Sequence, residues 1–348
     1  MSRIWPHKPV SSWCNSNNTN NTNDHNFSSG LLLVKVPKSA SSTAAGIVLR
    51  IQEHHDCRVE WKHRTAVNYA DRNCSASFLV APIRQPHSRA LSNMSFHDIS
   101  FHGKLRSTKP PSDKRKRKGL FNKAQFNFIL GYTTTDKNYT SSTLTTNDVN
   151  YTQSVNAIAT GIWRQQVAAV IQSYDFLMVV ERLDESLVTF AMLTGLPMTD
   201  MVTMSSKMTG MWYYTGRHCM SLVSPVQSRG IQQFFQSPKW KIHHWADNLL
   251  HRAAVASLDR TVASLGADSV QQQVTELRAL RQTVEATCGN ETMYPCSATG
   301  TPQLDKASRN CYIRDFGCGH ACIDRVIAAT AAAAELRETD SVADSVSR

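Results

Sequence analysis

The chain has 348 residues and a formal net charge of +11 at pH 7. That length can bury a sizeable core, and one domain with appendages is the expected organisation. No apolar run of about 18–20 residues is present to cross a bilayer as a helix, and the basic balance favours anionic partners without choosing among nucleotide, polysaccharide, nucleic acid and membrane surface.

Residues 1–30 are polar, rich in Asn, Ser and Thr and without periodicity, which predicts a disordered leader or stalk. Residues 31–36 form an almost unbroken apolar, β-branched run, the signature of a strand buried on both faces. Pro37 ends it, and from Ser42 onward Ala44, Ala45, Ile47, Val48, Leu49 and Ile51 line a predicted helix face, with Ser41, Ser42 or Thr43 as N-cap. A strand, a tight loop and a helix in this order present backbone N–H groups and the positive end of the helix dipole to an anion. Lys35, Lys38 and the hydroxyls of Ser39, Ser41, Ser42 and Thr43 add charge and donors to that cradle.

Further strands are expected over 57–62, 77–83 and 176–180, with helices over 121–132, 160–173, 243–266 and 270–287. Pro86 suits the start of a helix just past the third strand. Nine of the 20 residues over 104–123 are Lys or Arg, with Asp113 the lone acid, and the run is read as a disordered insertion loop, 104–118 at its narrowest. The threonine-rich stretch 133–152 reads as an exposed loop. After the fourth strand, Asp184 is expected to cap a helix, with Glu185 in its first turn, while Glu181 stands at the strand's carboxyl end beside the presumed cleft.

Five of the nine cysteines, Cys288, Cys296, Cys311, Cys318 and Cys322, crowd the last fifth of the chain. Zinc spacing is poor there, so disulfides stapling a small cap over 288–325 are the stronger reading, with Cys219 or another cysteine taking the odd member. Pairing does not follow from the sequence. Sequons beginning at Asn17, Asn20, Asn26, Asn73, Asn93, Asn138, Asn150 and Asn290 point, with the cysteines, to an oxidising secretory compartment. The N-terminus lacks the apolar core of a signal peptide, so either the sequence is a fragment or the secretory reading fails. Residues 326–348 are an Ala-rich helix fading into a polar end.

The loop is not that of a nucleoside triphosphatase, because no glycine lies between Val36 and Ala45. The run from Lys35 through Lys38 to Thr43 instead resembles the 5′-phosphosulfate loop of carbohydrate sulfotransferases. Arg84, Pro86, Arg89 and Ser92, directly after a strand, match the R-x-P-x-x-R-x-x-S element with which the same families bind a 3′-phosphate. The phrase from Glu181 through Asp184, Glu185, Ser186 and Leu187 resembles the galactose-3-O-sulfotransferase-like family, as does Asp247 with Leu250 and residues 257–261.

With gaps, the resemblance runs over 31–325. It implies a P-loop-NTPase-like α/β sulfotransferase fold, a central parallel sheet flanked by helices with a disulfide-rich C-terminal cap. It further implies sulfuryl transfer from 3′-phosphoadenosine 5′-phosphosulfate (PAPS), without a metal, to a carbohydrate or glycolipid acceptor in the Golgi lumen. Nucleic acid is not an expected partner, and the membrane would be reached only through an N-terminal anchor missing from the sequence. By the same resemblance Lys38 stabilises the leaving oxygen, Lys35, Ser39, Ser41, Ser42 and Thr43 clamp phosphate and sulfonate, and Arg84 and Ser92 hold the 3′-phosphate. His63 is the first candidate base, ahead of His54 and His55, with Glu181 in reserve. The competing expectation is a non-catalytic basic protein that binds acidic glycan or nucleic acid through 104–123.

Overall fold

A computed structural model describes residues 1–14, 29–61, 69–96, 129, 158, 161–204, 212–214, 218–222, 228–289, 296–297, 299–302 and 319–346. Four parallel strands form its central sheet: β1 (Gly30–Leu33), β2 (Val59–Glu60), β3 (Ser77–Ile83) and β4 (Phe176–Val179), in the order β2-β1-β3-β4. Leu31 pairs with Val59 on one side and Phe78 on the other, and Val80 pairs with Phe176. Every residue of β1, β3 and β4 is buried, as expected of parallel strands covered by helices, and this is why each reads as a continuous apolar run.

Helices α1 (Val10–Trp13), α2 (Ser41–His55), α3 (Pro86–Met94), α4 (Ile162–Ser173) and α5 (Leu183–Thr194) flank the sheet. They are followed by a hairpin of β5 (Trp212–Tyr214) and β6 (Cys219–Ser221), then α6 (Arg229–Gln236), α7 (Pro238–His243), α8 (Trp245–Leu265), α9 (Ala267–Cys288) and α10 (His320–Val346). The apolar stripes of α8 and α9 face the core as their spacing predicts: Leu250, Ala254 and Leu258 are buried, as are Val270, Val274 and Leu277. No helix among the described residues is long and apolar enough to cross a membrane.

The first strand ends earlier than residue 36. Val34 still donates to the Val80 carbonyl at 2.9 Å, but Val36 N then bonds back to Val34 O at 2.9 Å and turns the chain out of the sheet. The second strand shrinks to two residues because it lies at an edge and pairs with β1 alone. Gly30, at φ +90°, opens β1 where a Cβ would stand 2.2 Å from the Arg58 carbonyl oxygen.

Residues 1–14 are not a disordered leader. Trp5 and Trp13 are fully buried, Trp5 edge-on to Phe176 at 5.9 Å and Trp13 against Phe78 at 5.7 Å. Trp5 N donates to Thr261 Oγ1 at 2.9 Å, Lys8 Nζ pairs with Asp175 at 3.1 Å, and a Cys14–Cys57 disulfide fastens the segment to the end of α2. The two tryptophans supply apolar area that the polar average of residues 1–30 conceals; residues 15–28 lie outside the described set.

Two further disulfides pair Cys219 with Cys296 and Cys288 with Cys322. The first ties the β5–β6 hairpin to the segment after α9, and the second joins the end of α9 to the start of α10. Cys311 and Cys318 lie outside the described residues, as do 104–123 and 133–152.

Candidate functional site

The chain runs from β1 to β2 on one side and then crosses to β3 on the other, so the order of the sheet reverses between β1 and β3. In open parallel sheets a crevice forms at the carboxyl ends of such a strand pair. The loop after β1 and the loop from β3 into α3 meet there: Arg84 Nη1 donates to the Lys38 carbonyl at 3.2 Å. The segment after β1 and the segment after β3, separated in sequence, thus meet at one crevice.

The loop itself is strained in a way that suits an anion. Lys38 and Ala40 adopt left-handed backbone, at φ 63° and φ 50°, without being glycine. Ala40, rather than a serine or threonine, is the N-cap of α2, so no side chain caps the first turn that Ser41, Ser42 and Thr43 occupy. Left-handed residues followed by an uncapped helix start gather amide N–H groups into an anion-binding concavity. Ser39 and Ser41 are buried in this loop, and Ser42 and Thr43 are half-buried. Lys35 is buried with Nζ 5.5 Å from the Trp61 ring centre, and Lys38 Nζ lies 3.8 Å above the Phe96 ring.

On the other wall, Arg84 stands in the short loop after β3, Pro86 opens α3, and Arg89 lies in the first turn of that helix. Burial lowers the pKa of Arg84, with the nearby charge of Glu181 opposing it. Arg89 is only 4% exposed, and burial lowers its pKa too; Asp247 raises it and the charge of Arg84 lowers it. Arg89 Nε has no hydrogen-bond partner among the described residues. Two mutually repelling guanidiniums, one of them deeply buried, are stabilised by an arriving anion. Ser92, half-buried on the same helix, has a hydroxyl with no partner among the described residues.

Glu181 sits in a 3₁₀ turn, Val180–Arg182, at the end of β4. Its Oε1 accepts from Gln85 N at 2.9 Å and its Oε2 meets His251 Nε2 at 3.1 Å. Burial raises its pKa, but the bonds from His251, Gln85 and its own amide outweigh that and hold it below the ordinary carboxylate range. An ionised, doubly bonded carboxylate is a poor proton acceptor and a good brace for the Arg84 loop.

Asp184 does not cap the following helix. The N-cap is Arg182, without a side-chain cap, and Asp184 instead pairs with Arg278 at 2.7 Å and Arg281 at 2.5 Å on α9. Ser186 Oγ accepts from Val179 N at 3.0 Å, closing the end of β4. Most of this motif is therefore architecture, and Glu181 alone of its acids reaches the site.

Beyond the braced loop opens a cleft of about 1040 Å³ between α3, α6, α7 and the start of α8. His87, three residues after Arg84, lines it and packs on Phe235 at 5.9 Å. Burial lowers the His87 pKa; Glu181 opposes this, and His251 and Arg84 reinforce it. Phe235 and Trp240 stand edge to face at 4.6 Å along the wall, and Ser237, whose Oγ accepts from Trp240 N at 3.2 Å, starts α7 with Pro238 behind it.

His87 and His251 were not singled out by their sequence. His87 lies inside the motif from Arg84 to Ser92, where the arginines carry the signal, and His251 belongs to no motif; the Ser-Pro pair at Ser237 is a local mark of the cleft wall. His63 lies outside the described residues. His54 and His55 point elsewhere, both bonded to Asp200 at 2.6 Å.

No protein family, curated protein or solved structure matches this chain in comparisons with known proteins.

Proposed function

We propose that the chain is a PAPS-dependent sulfotransferase acting on a carbohydrate or glycolipid hydroxyl, with a sulfotransferase variant of the P-loop-like fold. The observation that carries this reading is the bond from Arg84 to the Lys38 carbonyl, which joins the phosphosulfate-like loop to the 3′-phosphate-like helix at the β1–β3 crevice. The donor's anionic groups fit what surrounds that bond: an uncapped helix start, left-handed loop residues, and the half-buried Arg84 beside the buried Arg89, whose Nε has no hydrogen-bond partner among the described residues.

In this reading the amides and hydroxyls of residues 39–43, with Lys35, clamp the 5′-phosphosulfate, while Arg84, Arg89 and Ser92 receive the 3′-phosphate. The acceptor oxygen forms its bond to sulfur as the bond from sulfur to the bridging phosphate oxygen breaks, and the electron pair leaves with adenosine 3′,5′-bisphosphate. Lys38 exchanges the Phe96 ring for the charge growing on that oxygen. His87 takes the acceptor proton, since its depressed pKa keeps the imidazole neutral near neutral pH and it stands between the Arg84 loop and the cleft. Three disulfides suit an oxidising compartment such as the Golgi lumen.

The test is calorimetric titration of the whole chain with adenosine 3′,5′-bisphosphate, for wild type, Lys38→Ala and Arg84→Ala. Micromolar binding, about −8 kcal/mol, weakened in both variants is expected. A folded wild type that binds no nucleotide would end the proposal.

A further inference from the structure

We infer that the cleft beside the nucleotide site selects an acid-bearing sugar, one carrying carboxylates or sulfate esters, rather than a neutral glycan. The inference rests on the sulfotransferase reading for its chemistry, and on the cleft's own residues for its charge. Arg229 of α6, Lys241 of α7 and Arg252 of α8 converge on the cleft from three separate helices, and among the described residues that line it there is no aspartate or glutamate. None of the three cations has an ion pair among the described residues.

Two acids adjoining the lining, Glu181 beside His87 and Asp247 beside Asn248, are already engaged, Glu181 with His251 and Gln85, and Asp247 with His244 Nδ1 at 3.2 Å. Three cations gathered without counter-charge give the cleft a positive field that raises the local concentration of anions. Arginine forks match carboxylate and sulfate oxygens alike.

The remaining lining argues for a sugar as the carrier of that charge. Phe235 and Trp245 offer ring surfaces to the apolar face of a pyranose, with the buried Trp240 backing Phe235, and glutamine, asparagine and serine side chains between them offer hydrogen bonds to hydroxyls. At about 1040 Å³ the cleft lies at the upper end of ligand pockets, roughly 300–1,000 Å³, which leaves room for more than one sugar ring.

The test is direct binding, without nucleotide, of hexagalacturonate and of a sulfated galactohexaose to the full chain. Each is compared with its neutral counterpart, the methyl-esterified and the unsulfated hexamer. At low salt, at least one acidic hexamer should bind about tenfold tighter than its neutral counterpart, and which one identifies the anion. The variant Arg229→Gln/Lys241→Gln/Arg252→Gln, changed only at exposed positions, should lose that preference while binding the neutral hexamers unchanged.

Equal binding of acidic and neutral sugars, binding of neither, or a preference that survives in the triple variant overturns the inference; the last would place the acidic sugar elsewhere on this basic chain. Nucleotide titration of the same samples is read separately. Acid-dependent sugar binding without nucleotide binding would remove the sulfotransferase reading and leave the cleft assignment standing.

Discussion

Glu181 grips the Gln85 amide at 2.9 Å with one carboxylate oxygen and His251 at 3.1 Å with the other, and so fastens the end of β4 to the loop that presents Arg84. The brace depends on charge. Because the folded-state pKa of Glu181 lies below its ordinary 4.5, its contribution is complete above that value and is lost as pH falls through the depressed one. Thermal melts from about pH 6 to about pH 3 should therefore show a steeper acid loss in wild type than in Glu181→Gln, which cannot ionise. Parallel curves would show that the carboxylate carries no linked stability.

His87 sets a second pH dependence in the sulfotransferase reading. Burial keeps its pKa below 6.5, so turnover should rise with pH through a limb below that value and then level off. In His87→Gln the limb should disappear, with kcat lowered about 10²–10⁴-fold and nucleotide affinity unchanged. A variant that keeps the wild-type limb would assign the base elsewhere.

Arg89 should show opposite effects on stability and on binding. It is a deeply buried cation with an unbonded Nε, so Arg89→Met removes a desolvation cost and should leave the melting temperature unchanged or raised. The same change should weaken adenosine 3′,5′-bisphosphate about tenfold or more, roughly 1.4 kcal/mol. Lost stability together with unchanged affinity would make Arg89 a structural residue.

The N-terminal segment should behave as core. Trp13→Ala should cost about 3–5 kcal/mol in urea unfolding, and reduction of the Cys14–Cys57 disulfide about as much, near 4 kcal/mol by chain entropy for its loop. Variants that unfold like wild type would return residues 1–14 to the status of a tether.

Gly30→Ala should destabilise by about 2 kcal/mol or more, because the new methyl meets the Arg58 carbonyl and the backbone is left-handed there. Gly195→Ala, with equal φ sign but open space at the Cβ, separates the two terms: its smaller loss reports the backbone cost alone.

The strands β1, β3 and β4, the helices α8 and α9 and the strand-to-helix turns after β1 and β3 were legible in the sequence, because each depends on local spacing. An unbroken apolar run can only be buried on both faces, a 3.6-residue apolar stripe can only face a core, and lysines and serines between strand and helix stand at the helix's positive end. Which segments meet was not legible.

The contact of Arg84 with Lys38 follows from β3 lying beside β1, and the Glu181–His251 brace follows from α8 crossing the end of β4. Nor does local spacing tell that Asp184 would turn to Arg278 and Arg281, or that two tryptophans in a polar leader would complete the core. Local pattern governs the free energy of each element alone. Partners far apart in sequence are selected by the apolar area and paired charge gained when whole elements pack, and only the assembled chain decides that.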